Sequence, residues 1–251
     1  IVEAFDGIMV ARGDLGVEMP IEEVPLVQKR CIELARANAK PVIVATQMLD
    51  SMITNSRPTR AESTDCANAV LDGADALMLS GETSVGAFAI EAVQTMARII
   101  ERTEEELLDR IPPLRTPPRT KGGAITRAAS EVGNIVDAKL LITFTQSGDS
   151  ARRMSRLRSA IPMIAITPDN HVYNQLALSW GVKPMISELV STTDEMVRQA
   201  DSIVINSKLA EKGNLVVIVA GSPPGIPGSI NAMRVHKVGD AVDGVVAAYR
   251  K

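Results

Sequence analysis

Short apolar runs recur along the first half of the chain with a regular spacing. They cover Gly7 to Ala11, Val42 to Thr46 and Ala76 to Leu79, and their first residues lie about 35 positions apart. Between them, apolar residues recur every three to four positions, which is typical of amphipathic helices. The pattern predicts three successive βα units.

Helix boundaries in this half carry strong local signals. Thr59 to Glu62 fits a capping box, and Gly73 supplies a stop at the other end of the same predicted helix. A complete (β/α)8 barrel takes about 250 residues. Three units therefore predict either an incomplete barrel or another α/β layering.

A proline-rich segment then interrupts the pattern, with four prolines in the eight residues from Ile111 to Pro118. Such a segment propagates neither a helix nor a ladder. We place a domain boundary there, between residues 1–112 and 113–251. Beyond it, strands and helices alternate again, which predicts a doubly wound α/β sheet with a short last strand from Arg234 to Val238.

Composition narrows the classes of function. The 251 residues carry a net charge of −3 and only six aromatic side chains. The sequence therefore offers neither a basic surface nor aromatic rings for stacking on bases, which argues against nucleic acid as a partner. Cys31 and Cys66 are expected to be reduced core thiols. No apolar run approaches the ~18 residues of a membrane span, so we expect a cytoplasmic protein. Because the chain begins at Ile1 in an apparent helix, we expect a fragment.

Polar residues follow all three predicted strands of the first half: Arg12-Gly13-Asp14, Thr46-Gln47 and Ser80-Gly81-Glu82. In a parallel barrel, the side chains that do chemistry lie just past the carboxyl ends of strands. Asp14 can offer a carboxylate to a divalent cation, and the backbone at Gly13 can approach an anion closely. The alternative is an Asp that only caps the next turn, and the motif leaves both open.

The second half has its own candidate site in Thr145 to Ser150, a hydroxyl-rich turn between a predicted strand and a helix containing Arg152 and Arg153. Free N–H groups and hydroxyls in such a turn suit a phosphate. The motif alone favours an ordinary capped turn. His171 and His236 have no metal-ligand spacing, which predicts surface or core roles.

Four strings together resemble the pyruvate kinase family: MVARGDLGVE from Met9, ATQML from Ala45, RPTRAE from Arg57 and MLSGET from Met78. The resemblance covers the whole chain. It implies the last three βα units of a TIM barrel followed by a C-terminal regulatory domain. It also implies phosphoryl transfer from phosphoenolpyruvate to ADP in glycolysis, with Mg²⁺ or Mn²⁺ and K⁺, by a homotetramer under allosteric control.

The resemblance also implies site residues. Asp14 matches the metal ligand, and Gly13, Asp14 and Thr46 match the substrate-binding site. The family's proton-delivering network corresponds to Thr46, Ser80 and Glu82. The effector phosphate loop corresponds to Thr145, Ser147, Gly148 and Ser150. The family's Lys-Ile-Glu motif would precede Ile1 and is absent from this sequence, so we expect the chain to be inactive on its own.

Two alternatives remain open from the sequence. One is a barrel lyase that acts on phosphoenolpyruvate or pyruvate with Mg²⁺, and the other is a non-catalytic module that binds phosphorylated metabolites. For the effector, the stretch from Gly221 to Ala232 contains no Lys or Arg, and the phosphate loop contains Asp149. Both features predict AMP or a hexose 6-phosphate rather than a sugar bisphosphate.

Overall fold

The computed structural model describes residues 1–115, 117–222, 224–226 and 228–241. Contacts divide the chain into two compact units, Ile1–Arg115 and Thr116–Lys251. The catalytic role expected for residues 1–112 and the regulatory role expected for residues 113–251 stay predictions. Within the described ranges, no helix is long and apolar enough to cross a membrane.

The first unit contains a three-stranded parallel sheet flanked by helices. Its elements are β1 (Ile8–Ala11), α1 (Arg12–Glu18), α2 (Val24–Ala37), β2 (Val42–Ala45), α3 (Arg60–Asp72), β3 (Ala76–Met78), α4 (Gly81–Ser84) and α5 (Ala89–Leu107). The strand order is β1-β2-β3. Ala11 pairs with Ala45, and Ala45 pairs with Met78, so the three strands end side by side. The three predicted βα units are confirmed.

Helix α3 has the predicted ends. The Thr59 hydroxyl accepts from Glu62 N, the Glu62 carboxylate accepts from Thr59 N, and Gly73 closes the helix at φ 97°. Its buried Cys66, Ala69 and Val70 face the core. The segment after β1 differs from the prediction, because Arg12, Gly13 and Asp14 form the first turn of α1 and not a loop.

The second unit is a five-stranded sheet with helices on both faces. Its elements are α6 (Lys121–Ile135), β4 (Leu140–Phe144), α7 (Asp149–Ser155), β5 (Met163–Thr167), α8 (Asn170–Leu176), β6 (Val182–Ile186), α9 (Thr193–Asn206), β7 (Leu215–Gly221) and β8 (Ile230–Lys237). The order is β6-β5-β4-β7-β8, with only β8 antiparallel among the described strands.

Alternate residues of β4 belong to opposite cores. Leu140 and Ile142 pack in a cluster with Val204 of α9, whereas Leu141 packs with Ala129 of α6 and Met154 of α7. This alternation confirms the doubly wound layering. The last strand is not short: β8 begins at Ile230, four residues earlier than predicted, and spans eight residues. Its first half has no continuous apolar run, because exposed Asn231 and Met233 alternate with buried Ile230 and half-buried Ala232.

A buried pair ties β8 to α9. His236 Nε2 lies 2.8 Å from Asp201 Oδ1, and both side chains are buried. The other carboxylate oxygen of Asp201 accepts from the backbone N–H groups of Gly239 and Ala241. Of the surface or core roles predicted for His236, the structure shows the core one.

Candidate functional site

The ends of β1 and β2 are joined by a hydrogen bond between two of the predicted site residues. Gly13 N donates to Thr46 Oγ1 over 2.8 Å, and the Thr46 hydroxyl donates to Ala45 O over 2.7 Å. Gly13 is the second residue of α1, and a backbone N–H there has no acceptor within its own helix. The Thr46 hydroxyl satisfies it, so these two residues form one unit of the site.

Asp14 lies next to this unit in the first turn of α1, with an exposed side chain. It does not cap a helix end: no side-chain cap bond forms at the start of α1. Its assignment as a metal ligand stays a prediction. A carboxylate oxygen is the ligand type that Mg²⁺ and Mn²⁺ prefer. Over the described ranges, no group of three or more His, Cys, Asp or Glu side chains is arranged around a metal position.

The backbone after β2 adopts a conformation that side chains disfavour. Thr46 and Gln47 have φ of 69° and 53°, in the left-handed region. That region costs a residue with a Cβ atom roughly 1–2 kcal/mol. Strain of this kind persists only where the surrounding structure enforces it, and it clusters at active sites. The sequence pattern did not indicate this strained Thr46–Gln47 turn beside the candidate site.

Arg12 contacts this turn directly, and sequence reasoning did not select it as a site residue. Its Nη2 donates to Thr46 O over 2.7 Å and to Gln47 O over 3.1 Å. Its Nη1 forms an ion pair of 2.5 Å with Asp65 on α3. The only sequence signal was its place at the head of the polar triplet after β1.

Glu82 links the ends of β2 and β3. Its side chain is buried, and its two carboxylate oxygens accept from Leu49 N over 3.1 Å and from Ser80 N over 2.8 Å. Ser80 itself is exposed. These two hydrogen bonds hold the backbone after β2 and after β3. The role of Glu82 in a proton network stays a prediction.

The second unit contains a pocket at the carboxyl ends of β4, β5 and β7. In the strand order β6-β5-β4-β7-β8, the chain leaves β4 toward β5 on one side and returns beside β4 as β7 on the other. The crevice at such a switch point is where open α/β sheets bind ligands.

Three of the four predicted effector residues line this pocket: Thr145, Ser147 and Ser150. The fourth, Gly148, shapes the turn: it has φ 77°, and its N–H donates to Thr145 Oγ1 over 2.9 Å. A Cβ atom there would lie 2.6 Å from Arg152 Nη1. The left-handed conformation favours glycine at this position, whereas the flexible end of Arg152 could move to admit a Cβ atom.

Charged groups around the pocket are few. Its lining includes the carboxylates of Asp149 and Glu188 but, among the described residues, no Lys or Arg. Arg153 pairs with Asp149 at 2.6 Å. Arg152 donates to Ser147 O over 3.0 Å, which puts its guanidinium at the rim.

The loop over the pocket is fastened at its base. Ser222 N donates to Asn231 Oδ1 over 2.7 Å, and Asn231 Nδ2 donates to Ser222 O over 2.6 Å. The Gly and Pro content of residues 221–229 predicts a loop, but it does not predict this closure by Asn231. Pro223 and Pro227 of the same loop lie outside the described residues.

Comparison with known families gives two matches along the chain. Residues 1–93 match the model of the pyruvate kinase barrel domain, and residues 123–236 match that of the pyruvate kinase alpha/beta domain. The two matches fall in the two units of the structure.

Individual relatives agree with these matches. A pyruvate kinase of Mycobacterium tuberculosis is 59% identical over 96% of this chain and 51% of its own length, and one of Corynebacterium glutamicum is 55% identical over 96% and 50%. The crystal structure of a pyruvate kinase from Cryptosporidium parvum aligns with a TM-score of 0.84 at 38% identity, covering 95% of this chain and 48% of that one. The chain spans about half the length of the curated relatives it matches. These relatives do not favour the lyase or the binding module.

Proposed function

Because this chain belongs to the pyruvate kinase family, we propose that the complete protein transfers the phosphoryl group of phosphoenolpyruvate to ADP, giving pyruvate and ATP. The observation that carries the proposal is the Gly13–Thr46 unit beside the exposed Asp14, at the shared edge of three parallel strands. This edge is where barrel enzymes hold their reacting groups.

Each residue of the site has a proposed task. Gly13, Asp14 and Thr46 bind the substrate, with the backbone of Asp14 facing its carboxylate, since the Gly13 N–H already donates to Thr46 Oγ1. Thr46 and Ser80 offer hydroxyls for moving a proton to the enolate carbon, and Glu82 holds the backbone of Ser80 in place.

A divalent cation, Mg²⁺ or Mn²⁺, would neutralise charge on the transferring phosphoryl group and on the enolate left behind. Asp14 fits this ion because its carboxylate is exposed beside the site and its ligand type is suitable. Mg²⁺ is commonly held by one or two carboxylates, with substrate phosphates and water as the other ligands. Dependence on K⁺ is part of the same proposal through the family relation.

The test is ATP formation from phosphoenolpyruvate and ADP by the complete protein, measured with and without Mg²⁺ and K⁺. We expect turnover that requires the divalent cation and increases with K⁺. Pyruvate release without ADP would favour a lyase or a phosphatase instead. Absence of any reaction on phosphoenolpyruvate in the folded protein would refute the proposal.

We propose further that the pocket of the second unit binds an allosteric effector with one phosphate group, such as AMP or a hexose 6-phosphate. Thr145, Ser147 and Ser150 supply hydroxyls, and Arg152 contacts this turn by donating to Ser147 O. A second phosphate would meet the carboxylates of Asp149 and Glu188, because the described lining residues include no Lys or Arg to pair with it. A phosphate group that loses its hydration without gaining a cationic partner lowers the binding affinity.

Calorimetric titration of the chain with AMP, glucose 6-phosphate and fructose 1,6-bisphosphate tests this preference. We expect a monophosphate to bind more tightly than the bisphosphate, and Arg152→Met to weaken binding at least about tenfold, as for loss of a charge-assisted hydrogen bond. The exposed Arg102→Met is the control. Tighter binding of the bisphosphate would contradict the proposal.

Assembly as a homotetramer and a cytoplasmic location are proposed on the family relation alone. Light scattering of the complete protein measures the first, and cell fractionation measures the second. A monomer or a membrane-bound pool would contradict them.

A further inference from the structure

We infer that Arg12 is a positioning residue that holds the strained Thr46–Gln47 turn and, through it, the Thr46 hydroxyl. The inference rests on the proposed function only for its activity readout. Its geometry stands on contacts within the first unit.

One guanidinium contacts both strained residues. Arg12 Nη2 donates to the carbonyls of Thr46 and Gln47, and Nε donates to Thr46 O over 3.3 Å. The side chain is only 12% exposed, and its Nη1 is fixed by Asp65. A planar group with several donors is suited to this arrangement, whereas a Lys ammonium is a single point charge and cannot reproduce it.

The turn needs such an anchor. Two consecutive residues with Cβ atoms in the left-handed region are unfavourable unless their surroundings enforce the conformation. Bonds from a charged donor to both carbonyls favour this arrangement over relaxed ones. Without Arg12, we expect the turn to relax.

Relaxation of the Thr46–Gln47 turn would change the candidate site by breaking a hydrogen bond from Gly13. Its N–H finds its acceptor in Thr46 Oγ1, and that oxygen's position depends on the Thr46 backbone. A relaxed turn would break this bond and move a hydroxyl that the proposed reaction uses. Hydrogen exchange of the Gly13 amide therefore reports the position of Thr46 directly, without any need for activity.

The experiment compares Arg12→Lys, Gln47→Gly and the double variant in the complete protein, with Arg102→Lys as the control. Arg102 is exposed on α5 and pairs only with Glu105 and Glu106 among the described residues. Two quantities are measured: kcat and KM for phosphoenolpyruvate, and exchange of the Gly13 amide by mass spectrometry. Glycine occupies the left-handed region without strain, so Gln47→Gly should let the turn form without its anchor.

We expect Arg12→Lys to lower kcat at least about tenfold, with a smaller change in KM, and to accelerate Gly13 exchange to a similar degree. In the double variant, both effects should recover roughly fivefold, the equivalent of removing the strain of one left-handed residue. Arg102→Lys should match the wild type in both quantities.

Three results would overturn the inference: an unchanged Gly13 exchange rate in Arg12→Lys, a loss of kcat without that change, or no recovery on adding Gln47→Gly. If the wild type has no activity, the proposed function fails, and the exchange rates alone decide on Arg12. If Arg12→Lys does not fold by circular dichroism, Asp65→Asn replaces it. That variant loosens the same guanidinium, so it should accelerate Gly13 exchange less strongly, and an unchanged rate would overturn the inference.

Discussion

Asp201 offers the sharpest test of how the second unit is held together. Its carboxylate receives hydrogen bonds from His236, Gly239 and Ala241 and is 1% exposed. Asp201→Ala would leave the donors of His236 and Gly239 buried without an acceptor, and the partly buried N–H of Ala241 would also lose its acceptor. An unsatisfied buried polar group costs about 1–3 kcal/mol. The substitution should therefore lower the free energy of unfolding by about 3–5 kcal/mol.

Urea denaturation followed by tryptophan fluorescence measures this loss. Trp180 is the sole tryptophan in the sequence and belongs to the second unit, so the signal reports that unit alone. With m-values of about 1–3 kcal/mol/M, the midpoint should fall by at least about 1 M. Glu131→Ala is the control, because this exposed carboxylate pairs only with Arg127 among the described residues and should cost at most about 0.5 kcal/mol. Equal midpoints for the two variants would refute the reasoning.

Three further predictions concern single side chains. Burial raises the pKa of the Cys66 thiol to about 12, so at pH 8 iodoacetamide should modify Cys31 and spare Cys66 in the folded chain; peptide mass spectrometry that finds both modified would contradict this. Burial raises the pKa of Glu62, but hydrogen bonds from Ser51 and Thr59 outweigh burial and hold the pKa below 4.5. Glu62→Gln should therefore lower thermal stability at pH 7 and have less effect as the pH falls below 4.5, whereas a pH-independent effect would argue against it. Asn231→Ala should weaken monophosphate binding severalfold in calorimetry by releasing the base of the pocket loop, and unchanged affinity would contradict that role.

Elements with strong local signals could be predicted from the sequence. The apolar runs Leu140 to Phe144 and Met163 to Thr167 predict two strands, and β4 and β5 have these bounds because each run is buried between turn residues. The ends of α3 follow from its capping box and from Gly73. Helix α1 was missed because Ala11 supplies no capping side chain and glycines occupy two of its seven positions. The start of β8 was missed because an exposed edge strand needs no apolar run.

The candidate site was predictable only in part, for a similar reason. Polar residues after parallel strands converge whatever their identity, so Gly13, Asp14 and Thr46 could be selected from the strand pattern. The contacts that hold them are long-range. Arg12 meets Thr46 across 34 positions, and Glu82 meets Leu49 across 33. No local sequence pattern predicts such long-range pairs. The left-handed conformation of Thr46 and Gln47 was also not predictable, because neither residue is a glycine.

The most direct test of the central claim is the Mg²⁺-dependent formation of ATP from phosphoenolpyruvate and ADP by the complete protein carrying Asp14→Ala. Asp14 is exposed, so its removal should leave the fold intact by circular dichroism. Asp109→Ala, another exposed carboxylate of the first unit, is the matched control. The account predicts turnover lowered by at least about a thousandfold in Asp14→Ala, as for loss of a metal ligand, and wild-type turnover in the control. Near-normal Mg²⁺-dependent turnover in folded Asp14→Ala would contradict the assignment of this strand edge as the reaction site.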